Sequence, residues 1–239
     1  MTTRAAGFVD TARGMLATAH QMHDDSKDDR LVNLGCFTPL APTFVPNILA
    51  GLAQQHPDLT VNISESAQDR LIAALIAGEL DFALAYDLDL PADIIRFPLV
   101  SLTPNVLLPA DHPLAGLDAV PLPQLADDPF ILLDIPPSRQ YFQDILVGAG
   151  LSPHIAHRSS SIELVRGMVA IGLGYSLMVT RPAGDVSYDG RPIAVRPIAG
   201  HVPASDVVLC ARKERHQPQS SRLFQGFVQG HFAPPGGGT

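Results

Sequence analysis

The chain of 239 residues contains no tryptophan and two cysteines, and no apolar run in it reaches the roughly 18 to 20 residues that a membrane-crossing helix needs. Cys36 and Cys210 are distant in sequence and alone, which fits a reducing, cytoplasmic setting better than a disulfide framework. Positive charge is scarce. Sixteen Lys and Arg against 24 Asp and Glu leave a net charge of −8, the wrong sign for a surface that must neutralise phosphates. Met1 to Arg13 offers neither a charged segment followed by an apolar stretch nor a lipid-anchor cysteine, so secretion is not expected. No Gly-x-Gly-x-x-Gly, Walker loop or Gly-x-Ser-x-Gly elbow is present. Gly172-Leu-Gly174 follows a helix and precedes a strand, the wrong order for a dinucleotide fingerprint. Metal ligation is only weakly signalled: His20 and His23 lie three apart beside Asp24, but exposed His on a helix is more often a surface residue than a ligand. His154 and His157 lie in or beside one short strand, and His112 in an Asp-His-Pro turn. No metal and no cofactor is expected.

What is present is apolar and patterned: 46% hydrophobic residues with 17% charged can bury a substantial core. The stretch Gln68 to Tyr86 sets the grammar. Leu71, Ile72, Leu75 and Ile76 recur at helical spacing, Gly78 stands where a helix ends in a left-handed residue, and Phe82 to Tyr86 reads as a buried strand. Helix, glycine, strand is the second half of a β-α-β unit. The pattern returns at Ile162 to Val179, with Leu164, Val165, Met168, Val169 and Ile171 as apolar positions, Gly172 and Gly174 as the stop and Tyr175 to Val179 as the strand.

From the start, residues 2 to 23 read as one exposed helix. Phe8, Ala12, Met15, Ala19 and Met22 form the narrow stripe of a coiled-coil seam, which needs a partner to be stable; the alternative is a frayed terminus. Asp24 to Arg30 is a charged linker. Strands are expected at Leu31 to Gly35, Leu59 to Ile63 and Phe82 to Tyr86, and helices from about Pro42 to Gln55 and from Gln68 to Gly78, with Cys36 to Pro42 as a turn. Ile94 to Leu108 looks extended but interrupted at Pro98 and Pro104, and the segment from Pro109 to Pro129 suits neither helix nor strand. A second copy follows: strand Phe130 to Asp134, a helix opening at Pro136 to Gln140 and ending near Gly148 or Gly150, strand His154 to His157, and a cap at Ser159 to Ser161. Val207 to Ala211 is a late strand and Ser221 to Phe232 an amphipathic helix with Leu223, Phe224, Phe227 and Val228 inward; 234–239 is a flexible tail. The fold class is α/β, with two Rossmann-like lobes preceded by one linker helix. The first lobe would take 31–101 and 206–233, the second 102–205, and two strands crossing between them would act as a hinge.

In open parallel sheets, ligands bind beyond the carboxyl ends of strands, where helix N-termini point. Four such edges occur: Phe37-Thr38, Ser66-Ala67-Gln68, Ser138-Arg139 and Ser159 to Ser161. If the lobes face one another these line one cleft, where free N–H groups and Arg139 favour a small anion such as a carboxylate. Ordinary N-capping by Ser and Thr is the competing explanation for any one edge. Cys36, near an edge, is either a reactive thiol or a small buried residue.

The segments TTRAAGFVDTARGMLATA, FVPNILAGLAQQHPDLTV, AGELDFALAY, LLPADHPLA, FILLDIPPSRQYF and SSSIELVRGMVAIGLGYSLM, in this order and spacing, resemble the linker helix and effector-binding region of LysR-type transcriptional regulators. The resemblance covers Thr2 to Phe232. It implies a fold similar to type II periplasmic binding proteins, with two crossover strands. It places effector contacts on Phe37, Thr38, Ser66, Ala67, Gln68, Ser138, Arg139, Ser160 and Ser161. The family's winged helix-turn-helix would precede residue 2, so promoter DNA would be reached only through that N-terminal domain. Partners implied are a small-molecule effector and a homodimer or homotetramer, with no membrane. Rival readings are a solute-binding protein of the same fold, and an enzyme using Glu65, Asp69 or Asp134 as acid or base.

Overall fold

The computed structural model describes residues 30–182, 184–213 and 218–233. The expected linker helix with Phe8, Ala12, Met15, Ala19 and Met22, all but the last residue of the charged linker, and the tail lie outside the described residues. The elements run β1 (Leu31–Phe37), α1 (Ala41–Gln55), β2 (Thr60–Ser66), α2 (Gln68–Ala77), β3 (Phe82–Tyr86), β4 (Ile94–Leu102) and β5 (Asn105–Pro109). They continue through β6 (Phe130–Leu133), α3 (Ser138–Gly148), β7 (Ile155–Ser159), α4 (Ile162–Ala170), β8 (Ser176–Met178), β9 (Ile193–Pro197), β10 (Ser205–Arg212) and α5 (Gln219–Phe232). The chain forms two compact α/β units. One holds the described residues to Ala85, Leu90–Leu99 and those from Val208; the other holds Tyr86–Asp89 and Val100–Val207. β4 and β10 each cross the boundary in sequence.

The first unit is built on a five-stranded sheet in the order β2-β1-β3-β10-β4, with β1 parallel to both β2 and β3. The central strands are continuous apolar runs because helices cover both faces of a parallel sheet: all five residues of β3 are buried, as are Val32 and Leu34 to Phe37 of β1. This explains why Cys36 and Phe37, expected in a turn, belong to the strand. β2 sits at the sheet's margin and alternates half-buried with exposed residues until its last turn of the pattern. α2 buries Leu71, Ile72 and Leu75 as expected, whereas Ile76 is exposed. α5 packs on this unit: Phe224 meets Phe82 at 5.3 Å between ring centroids, Phe232 meets Phe44 at 5.4 Å, and the Phe227 ring fills the space over Gly51. Leu223, expected inward, is exposed, and Ser220 and Ser221 are buried in its place.

The second unit repeats the arrangement. β6 pairs in parallel with β7, and an isolated parallel bridge from Phe130 to Tyr175 joins β6 to the residue that leads into β8. β8 in turn pairs antiparallel with β5, and β5 with β9. The effective order β7-β6-β8 thus mirrors β2-β1-β3, the physical counterpart of the repeated pattern in the sequence. Three expectations need correction. Pro98 does not interrupt β4, because this is the outermost strand of its sheet, where one side of the backbone has no ladder to lose. β9 was not anticipated. On α4, Leu164 faces solvent, as does the C-cap residue Ile171, and the inner face is Val165, Arg166 and Val169, so one of the buried positions is a charged side chain. Among the described residues, no helix is long and apolar enough to cross a membrane.

Candidate functional site

In the first unit, β1 and β2 run in register to their ends, with Phe37 opposite Ser66. One residue further, the Thr38 N–H donates to the Ser66 carbonyl at 3.1 Å. That bond brings Phe37-Thr38 and Ser66-Ala67-Gln68 to one rim. α1 starts three residues beyond Thr38, and α2 starts at Gln68 itself. Phe37 is fully buried, Thr38, Ser66 and Ala67 are half-buried, and Gln68 is 4% exposed and engaged with a neighbour. The N-cap residues are Leu40 for α1 and Ala67 for α2, and neither supplies a side-chain cap. Ordinary capping therefore does not account for the polar residues on this rim.

The second unit builds its rim the same way. Leu133 lies opposite Ser159, and the Asp134 N–H donates to the Ser159 carbonyl at 2.8 Å, the counterpart of the Thr38–Ser66 bond. The chain then passes through a cis Pro136-Pro137 peptide into α3, whose N-cap Pro137 provides no side-chain cap. Ser138 is 2% exposed, while Arg139 and the loop residues Ser160 and Ser161 are exposed. At α4 the capping explanation holds: Leu164 N–H donates to Ser161 Oγ at 3.3 Å, and Ser161 N–H donates to Ser159 Oγ at 3.0 Å. Ser161 is thus already used by its own helix.

Arg139 is not an isolated cation. Its Nε donates to Asp134 Oδ1, tying the first residue after β6 to the first turn of α3. Asp134, proposed from sequence as an acid or base, is the counterion of the residue expected to grip a carboxylate. Spacing alone did not reveal this, although Asp and Arg five residues apart across a loop into a helix start were a readable hint. Glu65 and Asp69, the other acid-base candidates, are exposed. Nearby, Tyr141 on α3 donates its hydroxyl to the Pro203 carbonyl at 2.6 Å; burial and the Asp206 carboxylate push its ionisation up to about 12.

Two further features were missed. Arg166 is 2% exposed, and its Nη2 donates to the Val186 carbonyl and, at 3.1 Å, to the Gly184 carbonyl. Its Nε lies 3.1 Å from Glu163 Oε1 without the alignment of a hydrogen bond, so that contact is purely ionic. An Arg between Val165 and Val169, with Glu three residues before, was the signal available. The second is the state of Cys36. It is fully buried on β1, and burial, with Glu65 adding repulsion, pushes its thiol pKa well up. Cys210 is buried on β10. Among the described residues no group of three or more His, Cys, Asp or Glu is placed to hold a metal ion.

With fold and rims in view, comparison with known proteins places the molecule. A family model described as the LysR substrate binding domain matches residues 26–233, and the chain belongs to that family, the effector-sensing regulatory domain of LysR-type transcriptional regulators. Among solved structures it is similar to the C-terminal domain of a probable LysR family regulator from Rhodococcus sp. RHA1, with 40% identity and a TM-score of 0.80, covering 83% of this chain and 98% of that one. It is also similar to HinK, a LysR family regulator from Pseudomonas aeruginosa, at 35% identity and a TM-score of 0.80 over 96% of this chain and 80% of that one. A probable hydrogen peroxide-inducible genes activator from Mycobacterium avium is 31% identical over 202 residues, 82% of this chain and 64% of that protein. The chain spans 64% and 52% of the lengths of the first two curated relatives it matches, the second being the regulator YybE of Bacillus subtilis.

Proposed function

We propose that this chain senses a small anionic metabolite, with a carboxylate as its recognised group. The candidate recognition residues are Phe37, Thr38, Ser66, Ala67 and Gln68 on the rim of the first unit, and Ser138, Arg139, Ser160 and Ser161 on the rim of the second. One observation carries the reading. Each unit ends one parallel strand pair level, β1 with β2 and β6 with β7, joined by a main-chain bond. The N-cap residues of α2 and α3 provide no side-chain cap, whereas at α1 the N–H groups of Ala41 and Thr43 already donate to the Thr38 and Leu40 carbonyls. Free N–H groups at a helix start favour a negative ligand.

Effector binding favours one conformation of the chain over another, and only the difference in affinity between the two moves the equilibrium. In the full-length regulator this shift controls promoter binding through a DNA-binding domain, in a cytoplasmic homodimer or homotetramer. The domain is a sensor rather than an enzyme, and Asp134 is spent on Arg139. The relatives named for hydrogen peroxide induction do not transfer that signal here. Peroxide oxidises an accessible thiolate, and Cys36 and Cys210 are both buried.

The test is a thermal-shift screen against small carboxylates with three variants alongside. A ligand at about 100 times its Kd stabilises the domain by about 2.7 kcal/mol. Thr38→Val and Arg139→Ala should each lose that shift. Asp134→Asn should keep or enlarge it, because it frees the guanidinium. Hits that stabilise wild type, Thr38→Val and Arg139→Ala alike would refute the assignment.

A further inference from the structure

Away from the rims, the second unit carries an open groove of about 370 Å³ between the turn that follows β5 and strand β9. That volume lies at the lower end for small-molecule sites. Four ionisable side chains line it, and two are already committed. His112 Nδ1 accepts the Leu114 N–H at 3.2 Å, and its Nε2 faces Asp128 Oδ2 at 3.5 Å. Asp185 is paired with Arg181 Nη2 at 2.8 Å. The remaining two have opposite sign. Among the described residues Asp111 has no hydrogen-bond or ion-pair partner. Arg196 gives Nη1 to the carbonyl of its own neighbour Val195 at 2.9 Å and, among the described residues, has no carboxylate against it. Opposite charges on the wall of one groove, not paired with each other, present a cation-binding and an anion-binding group at once. Ile193 and Ala194, which also line the groove, are apolar and buried.

We propose that this groove is a second ligand site, for a small zwitterion that sets an ammonium group against Asp111 and a carboxylate against Arg196. Each contact is a charge-assisted hydrogen bond, and holding both on one molecule separates such a ligand from simple anions and simple amines. The site is independent of the proposed effector rims and shares none of their residues.

The experiment titrates the isotopically labelled chain with glycine, 4-aminobutanoate and 6-aminohexanoate, which step the charge separation, and with acetate and methylammonium as single-charge probes, following backbone amides by NMR. At least one zwitterion should shift the amides of residues 110–116 and 193–196 saturably, about tenfold more tightly than either single-charge probe. Asp111→Asn and Arg196→Gln should each weaken it, the first abolishing methylammonium binding and the second acetate binding. Arg139→Ala should leave the zwitterion affinity unchanged. Shifts confined to the rim residues, no saturable shift with any of the three, or equal affinity in both groove variants would overturn the proposal.

Discussion

Substituting Gly174 tests how the second unit is joined. This residue has φ of 146° and lies against Pro129, and a Cβ built there falls 2.2 Å from the Pro129 carbonyl oxygen and 2.9 Å from its carbon. Ordinary contact starts near 3.4 Å, so Gly174→Ala demands that backbone move apart by more than 1 Å. The segment cannot yield freely. Tyr175 N–H donates to that same Pro129 oxygen at 2.9 Å, and Ile131 N–H donates to the Tyr175 carbonyl at 2.8 Å, the bonds that join β6 to β8. Losing one or two of them costs about 1 kcal/mol each, and backbone strain adds about 1 to 3. The expected destabilisation is about 2 to 5 kcal/mol, a large part of a typical domain's stability. Gly172→Ala is the matched control: φ is 82°, but nothing lies within 4 Å, leaving a conformational penalty of about 1 to 2 kcal/mol. Urea denaturation followed by circular dichroism gives both values, and hydrogen exchange at Ile131 and Tyr175 should accelerate only in Gly174→Ala. Equal midpoints for the two variants would refute the reasoning, because the close approach is the main thing that separates them.

Three further outcomes follow from the same packing. Cys36 and Cys210 should resist iodoacetamide at pH 8 in the folded chain and react in urea, read by mass spectrometry; rapid native labelling of Cys36 would contradict its burial and raised pKa. Tyr141 is held neutral in the fold, with its pKa raised to about 12, so it contributes stability below its ordinary pKa near 10 that is lost as pH rises towards 12. Tyr141→Phe should flatten that alkaline decline, and an unchanged profile would assign it to other groups. Arg166→Met should cost about 1 to 3 kcal/mol by releasing the carbonyls of Gly184 and Val186, and should speed hydrogen exchange at Ser187 and Ile193; unaltered protection there would deny Arg166 its clamping role.

The repeated strand-helix-strand grammar was legible because it rests on local periodicity: the helix stripe around Leu71, Ile72 and Leu75 and the apolar run of β3 each carry their own signal. Strand ends were less legible. Cys36, Phe37 and Ser66 were assigned to loops, yet their strand character depends on pairing between β1 and β2, which no local window contains. β9 escaped for a related reason. Pro192 and Pro197 bracket a run too short to show alternation, and only its pairing with β5 makes it a strand. At the site, the residues at the rims could be chosen from sequence, but the Asp134–Arg139 pair and the two carbonyls held by Arg166 are contacts across loops. Chemistry of that kind is set by where the chain returns, not by spacing.

The bonds that level the strand ends, Thr38 to Ser66 and Asp134 to Ser159, run between main-chain atoms alone. Any residue other than proline could stand at Thr38 or Asp134 and still donate the same N–H. The two bonds themselves are therefore indifferent to the side chains at Thr38 and Asp134. On the proposed reading, replacement of the half-buried Thr38 or the exposed Ser160 would change what is recognised at little cost to folding, unlike replacement of the buried Phe37, Gln68 or Ser138. On that reading, a lineage built on such a frame would exchange one inducer for another by a few replacements at those positions, with its architecture untouched.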